Sequence, residues 1–180
     1  MILFIVEKNT DSDLIIKSAI EKYLEFCKNA YIDEGETDKM LKNLNVDSKT
    51  FVNNVKIVRG GKPYLEYNGE RMPLKFSLSH TDGLTVVGVS HSEVGVDCER
   101  WKERDYVGIA RRENFGFTPN SEEEFYDEWT RREAVAKYYG KGFSHVKQKI
   151  DAPKVTNLKI VYNCSIAVVS TENLLVALLT

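Results

Sequence analysis

Apolar residues occur along the N-terminal half of the chain either in short continuous runs or at spacings of three and four. The runs are typical of buried strands, and the three-and-four spacing is typical of amphipathic helices. The elements predicted in this half are a strand at 2–6, a helix at 11–28, a weaker helix at 31–46 and strands at 51–58, 74–79 and 84–90. The first helix should bury one face, which consists of Leu14, Ile15, Ala19, Ile20 and Leu24.

Turn and capping signals divide the C-terminal half. Ser121 lies three residues before Glu124, which is the spacing of a capping box, and Gly140 is a stop signal. A long helix is therefore predicted from Ser121 to Tyr139. The other elements predicted here are a strand at 94–99, a short helix at 106–113 and strands within 155–180. Strands and helices in this order predict an α+β fold.

A weak internal similarity relates the two halves. Residues 77–90 align without gaps on residues 167–180, ninety positions later, and the same offset places 5–7 on 95–97. One interpretation is two similar α+β halves, 1–90 and 91–180, with a site at their junction. The alternative is two unrelated hairpins, because few identities are involved.

Composition narrows the class of protein without naming it. Of the 180 residues, 42% are hydrophobic and 29% are charged, as in ordinary globular proteins. The net charge of −2 gives no basic field, so no nucleic-acid partner is predicted. The three cysteines are widely spaced and predict neither a disulfide framework nor a zinc site. No leader or apolar run of membrane-spanning length is apparent, so we expect a cytoplasmic protein without a membrane partner.

Two carboxylates stand out in the predicted strand at 94–99. Side chains two apart share a face of a strand, so Asp97 and Glu99 should lie together, opposite Val96 and Cys98. Because the two carboxylates repel each other, a cation is expected between them, and Mg²⁺ prefers such oxygen ligands. The alternative is the exposed face of an edge strand, where the pair costs little.

The long helix carries a second candidate cluster. Trp129, Glu133 and Lys137 recur every four residues and therefore share one face. Glu133 can add a third carboxylate, and Lys137, one turn further on, can meet phosphate. The alternative is an exposed Glu–Lys pair, but the large aromatic residue on the same stripe favours a face that contacts protein.

Two further segments carry polar groups at predicted turns. Ser79, His80 and Thr81 place hydroxyls and an imidazole at one end of the predicted sheet, although a turn histidine is often exposed and idle. The segment Gly60-Gly61-Lys62-Pro63 is a turn by composition. It lacks the spacing of a P-loop.

Four of these segments, taken together, resemble the motifs of the 4′-phosphopantetheinyl transferases, in particular the larger surfactin-type enzymes. That family carries a GKP-like segment, an F-N/S-x-S-H segment, a G-V/I-D-x-E strand and a W-x-x-K-E-A-x-x-K helix. In the same order this chain has Gly61-Lys62-Pro63, Phe76-Ser77-Leu78-Ser79-His80, Gly95-Val96-Asp97-Cys98-Glu99 and the segment from Trp129 to Lys137. The resemblance covers about residues 60 to 143.

The resemblance implies a fold and an activity. The larger enzymes are monomers of two similar halves in a pseudo-twofold arrangement, with mainly antiparallel sheets packed on helices. They move the phosphopantetheine arm of coenzyme A onto a serine of an acyl or peptidyl carrier protein and release 3′,5′-adenosine bisphosphate. Transfer of this kind depends on positioning and on neutralisation of charge.

The resemblance also assigns roles to residues. Asp97, Glu99 and Glu133 would hold Mg²⁺, or Mn²⁺ in its place. Glu133, directly or through a metal-bound water, would take the proton of the carrier serine. Contacts with coenzyme A would come from Gly61, Lys62, Pro63, Ser79, His80, Thr81 and Lys137, of which His80 and Lys137 would contact phosphate.

Some positions depart from the family pattern. Arg132 stands where the family usually has lysine. No basic segment is evident for the 3′-phosphate of coenzyme A, because Lys42, Lys49 and Lys56 are scattered. The basic pair Arg111-Arg112 can face an acidic carrier helix or solvent. Two other functions stay open: a non-catalytic relative that binds coenzyme A or a carrier protein, and another Mg²⁺-dependent phosphoryl-transfer enzyme.

Overall fold

The computed structural model describes residues 1–7, 11–30, 35–142 and 153–179. In chain order its elements are β1 (Ile2–Val6), α1 (Ser12–Ala30), α2 (Glu36–Leu44), α3 (Ser48–Asn54), β2 (Lys56–Val58), β3 (Tyr64–Tyr67), β4 (Glu70–Arg71), β5 (Lys75–Thr81), β6 (Leu84–Ser90), β7 (Val94–Arg100), α4 (Tyr106–Arg112), α5 (Glu122–Tyr139), β8 (Val155–Leu158), β9 (Cys164–Ser170) and β10 (Leu175–Leu178). Within these ranges no helix has both the length and the apolarity needed to cross a membrane.

The strands form three sheets. The largest has the order β10-β1-β6-β5, in which β1 pairs parallel with β10 and antiparallel with β6. The second is β2-β3-β4, and the third is β7-β9-β8, both antiparallel. Helices pack on these sheets, so the prediction of an α+β fold is confirmed.

The core lies on both faces of the central strand β1. Ile2, Phe4 and Val6 join a large cluster formed with α1, α3 and β3. Leu3 and Ile5 point the other way, into a cluster shared with β7 and β9. This alternation is the period-two pattern of a strand that is buried on both faces. The core therefore continues from one half of the chain into the other.

The long helix α5 begins and ends where the sequence predicts. The Ser121 hydroxyl accepts a hydrogen bond from the Glu124 amide at 3.1 Å, and Gly140 adopts a left-handed conformation with φ of 64°. The Glu124 carboxylate accepts from the Asn120 amide at 2.7 Å, one residue before the position that a capping box uses. The buried face of α5, which includes Ala134, packs on β7 and β9.

Two details of the predicted first half are wrong. Residues 51–54 belong to helix α3 and not to a strand, because the Asp47 side chain caps that helix by accepting from the Thr50 amide at 2.7 Å. Only Lys56–Val58 of the predicted strand pairs as a strand. Leu14 is 60% exposed, and Ile16 occupies the apolar face of α1 instead. The start of the predicted second helix, 31–34, lies outside the described residues.

The ninety-residue similarity does not correspond to a shared pairing pattern. Residues 77–90 form the β5–β6 hairpin, whose tight turn at Asp82-Gly83 matches the prediction. Residues 167–178 of the second segment cover the end of β9 and the whole of β10, which belong to different sheets. The second segment is therefore not a hairpin, because β10 leaves β9 and pairs with β1.

Strands β5 and β7 belong to different sheets but lie side by side. Alternation along β5 turns Ser77, Ser79 and Thr81 to one side. The Ser77 hydroxyl accepts from the Val96 amide at 3.0 Å, and the Thr81 hydroxyl accepts from the Arg100 amide at 3.2 Å. The hydroxyls of β5 therefore satisfy backbone amides of β7, and these hydrogen bonds join the two sheets.

The close approach of α5 to β7 requires Gly95. A Cβ atom at this position would lie 2.1 Å from the Ala134 carbonyl oxygen and 2.6 Å from the Tyr138 amide nitrogen. Both are backbone atoms of a packed helix, so neither can move aside without shifting α5. The Gly of the Gly-Val-Asp motif is thus explained by packing.

We predict that Gly95→Ala destabilises the protein by about 3 kcal/mol or more, because α5 must move away from the sheet. The measurement is the free energy of unfolding from urea denaturation. Gly61→Ala is the control: open space surrounds that position, and a change within about 0.5 kcal/mol is expected. Equal stability of the two variants would contradict the packing argument.

Candidate active site

The three predicted carboxylates meet where α5 packs on β7. Asp97 and Glu99 come from β7, and Glu133 comes from α5. Burial raises the pKa of Glu133, and the charge of Asp97 raises it further. The same two causes, in the same order, raise the pKa of Glu99. The mutual repulsion expected from the sequence is therefore present, and it includes the third carboxylate.

Asp97 is the buried member of this cluster, with 4% of its surface exposed. Its Oδ1 atom accepts hydrogen bonds from the Ser79 hydroxyl and from the Lys137 ammonium, each at 2.7 Å. Its buried Oδ2 atom has no hydrogen-bond partner. Burial raises the pKa of Asp97, although Lys137 and Ser79 act against this shift. The exposed edge-strand alternative is wrong for this residue.

Cations border the cluster on two sides. Lys137 lies on Asp97, and the charges of Arg104 and Lys102 lower the pKa of Glu99 against the effects of burial and Asp97. Among the residues that the structure describes, no three His, Cys, Asp or Glu side chains are arranged to hold a metal ion. The donor chemistry nevertheless fits a divalent cation, because carboxylate oxygens are its preferred ligands and Asp97 Oδ2 is unpaired.

The hairpin residues divide between the two faces of β5. Ser79 and Thr81 face β7, where they bind Asp97 and the Arg100 amide. His80 lies on the opposite face by strand alternation, and it is exposed. Of the predicted Ser79-His80-Thr81 cluster, the structure therefore brings only Ser79 into contact with the carboxylates.

Lys62 holds the C-terminal end of α5. Its ammonium donates to the Tyr138 carbonyl at 2.6 Å and to the Val94 carbonyl at 3.3 Å, and it pairs with the Glu93 carboxylate. Burial lowers the pKa of Lys62, although Glu93 opposes this shift. A lysine among the last carbonyls of a helix is favoured by the helix dipole. Lys62 therefore joins its own turn to the start of β7 and the end of α5.

A cleft of about 480 Å³ lies beside this contact. Its lining comes from the N-terminus of α1, the turn before β3, strand β5 and the end of α5: Ser12, Ile16, Arg59, Gly61, Lys62, Pro63, Phe76, Ser77, Leu78, Lys137, Gly140, Lys141 and Gly142. The Gly-Lys-Pro segment and Lys137 thus share one cavity. Lys137 also contacts Asp97, so it stands between the cleft and the carboxylates.

Sequence reasoning missed three groups at this site. Arg59 and Lys141 line the cleft, and Ser77 both lines it and binds β7. Arg59 directly precedes the Gly-Gly-Lys-Pro turn, and Ser77 alternates with Ser79, so both had a local signal. The scattered lysines considered for an anion are elsewhere: Lys42 on α2, Lys49 on α3 and Lys56 on β2.

No protein-family model matches the chain, and no curated protein matches it in sequence. What the site can do chemically therefore follows from its own side chains. The cleft is lined by four cationic side chains: Arg59, Lys62, Lys137 and Lys141. The three carboxylates lie on the far side of the contact between Lys137 and Asp97. This arrangement suits a ligand with several negative charges in the cleft and a cation at the carboxylates.

Arg132, the departure from the family pattern, holds the loop after α4. Its guanidinium donates to the carbonyls of Glu113 at 3.0 Å, Asn114 at 3.2 Å and Phe115 at 3.0 Å. It also binds Glu128 at 2.6 Å and lies 4.6 Å from the centre of the Phe115 ring. A planar group with five donors can make these contacts together, whereas a lysine cannot.

We predict that Arg132→Lys lowers the free energy of unfolding by about 1–3 kcal/mol, because one buried and two partly buried carbonyls lose their donors. Chemical denaturation gives the measurement. Arg131→Lys is the matched control on the same helix: Arg131 is 40% exposed and pairs with the same Glu128. Its loss should stay within about 0.5 kcal/mol. A similar loss in both variants would mean that only the Glu128 pairing matters.

We predict that Glu133→Gln stabilises the protein near pH 7. Burial and Asp97 raise the pKa of Glu133 above its ordinary value of 4.5, so the folded chain binds this proton more tightly than the unfolded chain. The proton therefore favours folding below pH 4.5, and this advantage is lost as the pH rises through the folded-state pKa.

The amide avoids that loss, so the expected gain is about 0.5–1 kcal/mol at pH 7, the scale of partly exposed charge interactions. The gain should disappear at pH 4, which urea denaturation at both pH values will measure. Glu123→Gln, at the other end of α5, serves as the control without a gain. A Glu133→Gln protein no more stable than the wild type at pH 7 would show that Glu133 is not strained by its neighbours.

Proposed function

We propose that the protein transfers the 4′-phosphopantetheine arm of coenzyme A to a serine of an acyl or peptidyl carrier protein, in a Mg²⁺-dependent reaction. The observation that carries the proposal is the contact of Lys137 with Asp97 at the edge of the cleft. The four segments of the resemblance come together around this contact: Ser79 also binds Asp97, and Lys62 binds the carbonyl of the residue after Lys137. Unrelated motif matches would have no reason to converge.

The proposed ligand position follows from charge. Coenzyme A carries a pyrophosphate and a 3′-phosphate, and the cleft is lined by the cations of Lys137, Lys141 and Arg59, the last of which also pairs with Asp13. The pyrophosphate lies at the Lys137 end, next to the carboxylates. Asp97, Glu99 and Glu133 would hold the divalent cation, which supplies neutralisation of the phosphate charge during transfer.

The chain's own groups then handle the proton and the leaving group. The carrier serine oxygen forms a new bond to the phosphorus of the phosphopantetheine arm, and the bond from that phosphorus to 3′,5′-adenosine bisphosphate breaks. Glu133 takes the serine proton, and burial together with the charge of Asp97 raises its pKa above the ordinary value, which makes it a stronger base. Lys137 offsets the charge that develops on the leaving bisphosphate.

The strand order supports the proposed pseudo-twofold fold. In one half the order is β1-β6-β5 and in the other it is β7-β9-β8, and each trio is antiparallel. In both trios the first strand in sequence pairs with the last. A long helix follows that first strand each time: α1 follows β1, and α5 comes after β7. These regularities favour two similar halves at 1–90 and 91–180, with β10 of the second half added to the sheet of the first.

The proposed carrier surface is the region of α4. Arg111 and Arg112 are exposed in its last turn, and a cavity of about 300 Å³ beside it is lined in part by Arg111, Phe115 and Phe117. Arg132 holds the Phe115 part of this surface in place. A basic rim around an apolar floor suits an acidic helix of a carrier protein.

The decisive experiment incubates the protein with Mg²⁺, coenzyme A and a panel of apo carrier proteins, and follows the mass of each carrier. We expect one or more carriers to gain a phosphopantetheine arm. Asp97→Ala should abolish the gain, and Glu133→Gln should slow it by about 10²–10⁴-fold, as loss of a general base does. Glu123→Gln, remote from the cluster, should transfer normally.

The alternative outcomes are informative. Binding of coenzyme A without a mass gain across a broad panel would favour the non-catalytic relative. Near-normal transfer by Glu133→Gln would remove that residue from the proton step. Transfer that survives Asp97→Ala would refute the site itself.

A further inference from the structure

Lys137 occupies the position at which the carboxylates need a cation. Its ammonium lies 2.7 Å from Asp97 Oδ1, and Asp97 is almost fully buried. The same ammonium interacts favourably with Glu133 and Glu99, since its charge opposes the rise in the pKa of both. Asp97 is therefore the carboxylate that the ammonium contacts directly, and its charge also acts on the other two.

A divalent cation cannot join this arrangement without changing it. Both cations would approach the same small carboxylate, and at a few ångströms their repulsion is strong because the site is partly shielded from water. Ser79 also donates to Oδ1, which leaves Oδ2 as the unpaired oxygen of Asp97.

The Lys137 side chain can also point into the cleft. Its side chain is 32% exposed and it lines the cleft, so a rotation of its flexible stem would carry the ammonium from Asp97 to a ligand there. An anionic group in the cleft would replace Asp97 as the partner of the Lys137 ammonium. Asp97 would then be left without its counter-ion, which favours entry of a cation.

We propose that Lys137 is the resident counter-ion of the Asp97 site, and that it competes directly with a divalent cation for the Asp97 carboxylate. An anionic ligand in the cleft draws Lys137 away, and the cation takes its place, so ligand and cation promote each other's binding. The proposal rests on the proposed function for the identity of the ligand, but its first test needs no ligand and no transfer.

The test is the affinity of the free protein for Mn²⁺, measured by calorimetry without coenzyme A. Lys137→Met should bind Mn²⁺ about tenfold more tightly than the wild type or better, because the competing charge is gone. Lys137→Arg keeps a cation on Asp97 and should not gain affinity. Lys141→Met removes the same charge from the cleft without touching Asp97, so its Mn²⁺ affinity should stay within about twofold of the wild type.

A second measurement covers the case in which Lys137→Met is too unstable for calorimetry. Loss of the counter-ion should lower its thermal midpoint, and Mn²⁺ should raise that midpoint more than it raises the wild-type value. In the absence of divalent cations, coenzyme A should bind Lys137→Met more weakly than the wild type. Removing one lysine thus changes the two affinities in opposite directions.

The proposal is overturned if Lys137→Met binds Mn²⁺ no more tightly than the wild type, or if neither protein binds it. A gain in Lys137→Met together with wild-type protein that transfers nothing to any carrier would refute the proposed function and leave the competition intact. Equal gains in Lys137→Met and Lys141→Met would replace the direct contact with a general effect of net charge.

Discussion

The close contact of α5 with β7 at Gly95 is the constraint on which the site depends. Without a Cβ at Gly95, the backbone of the helix at Ala134 lies directly on the strand. Glu133 and Lys137 are then carried within reach of Asp97, where three carboxylates and one ammonium share a half-buried space. A separation larger by one methyl group would leave the same residues present but too far apart to act on one another.

Three side chains outside the carboxylate cluster keep this contact in place. Lys62 binds the Tyr138 carbonyl at the end of α5. Arg132 ties the helix to the loop after α4, and Ser79 fixes the Asp97 carboxylate while joining β5 to β7. Residues that the family resemblance assigns to ligand binding therefore also stabilise the structure. Substitution at Lys62 or Ser79 will therefore affect the position of the site as well as any contact with substrate.

The cluster stores unfavourable energy that the rest of the fold offsets. Burial raises the pKa of each carboxylate, the charge of Asp97 adds to the rise at Glu99 and Glu133, and Asp97 keeps one oxygen without a partner. Well-packed clusters on both faces of β1 supply the stability that tolerates this strain. Strain of this kind is common at functional sites, because groups poised to bind a ligand are left incompletely satisfied in its absence.

The sequence by itself determined the elements that carry local signals, and the relations within one element. Ser121 and Gly140 mark the two ends of α5, and Asp82-Gly83 forms the hairpin turn. Strand and helix periods place Asp97 on one face with Glu99, and Glu133 on one face with Lys137. The strand predicted at 51–54 is wrong, because these residues continue a helix that the Asp47 side chain caps.

Only the tertiary structure decided that Lys137 is the cation on Asp97, that Arg59 shares a cleft with it, and that His80 does not reach the carboxylates. The physical reason is that these relations depend on how a helix docks on a sheet. Docking is set by many weak contacts between segments that are distant in sequence, and no local pattern of residues encodes it.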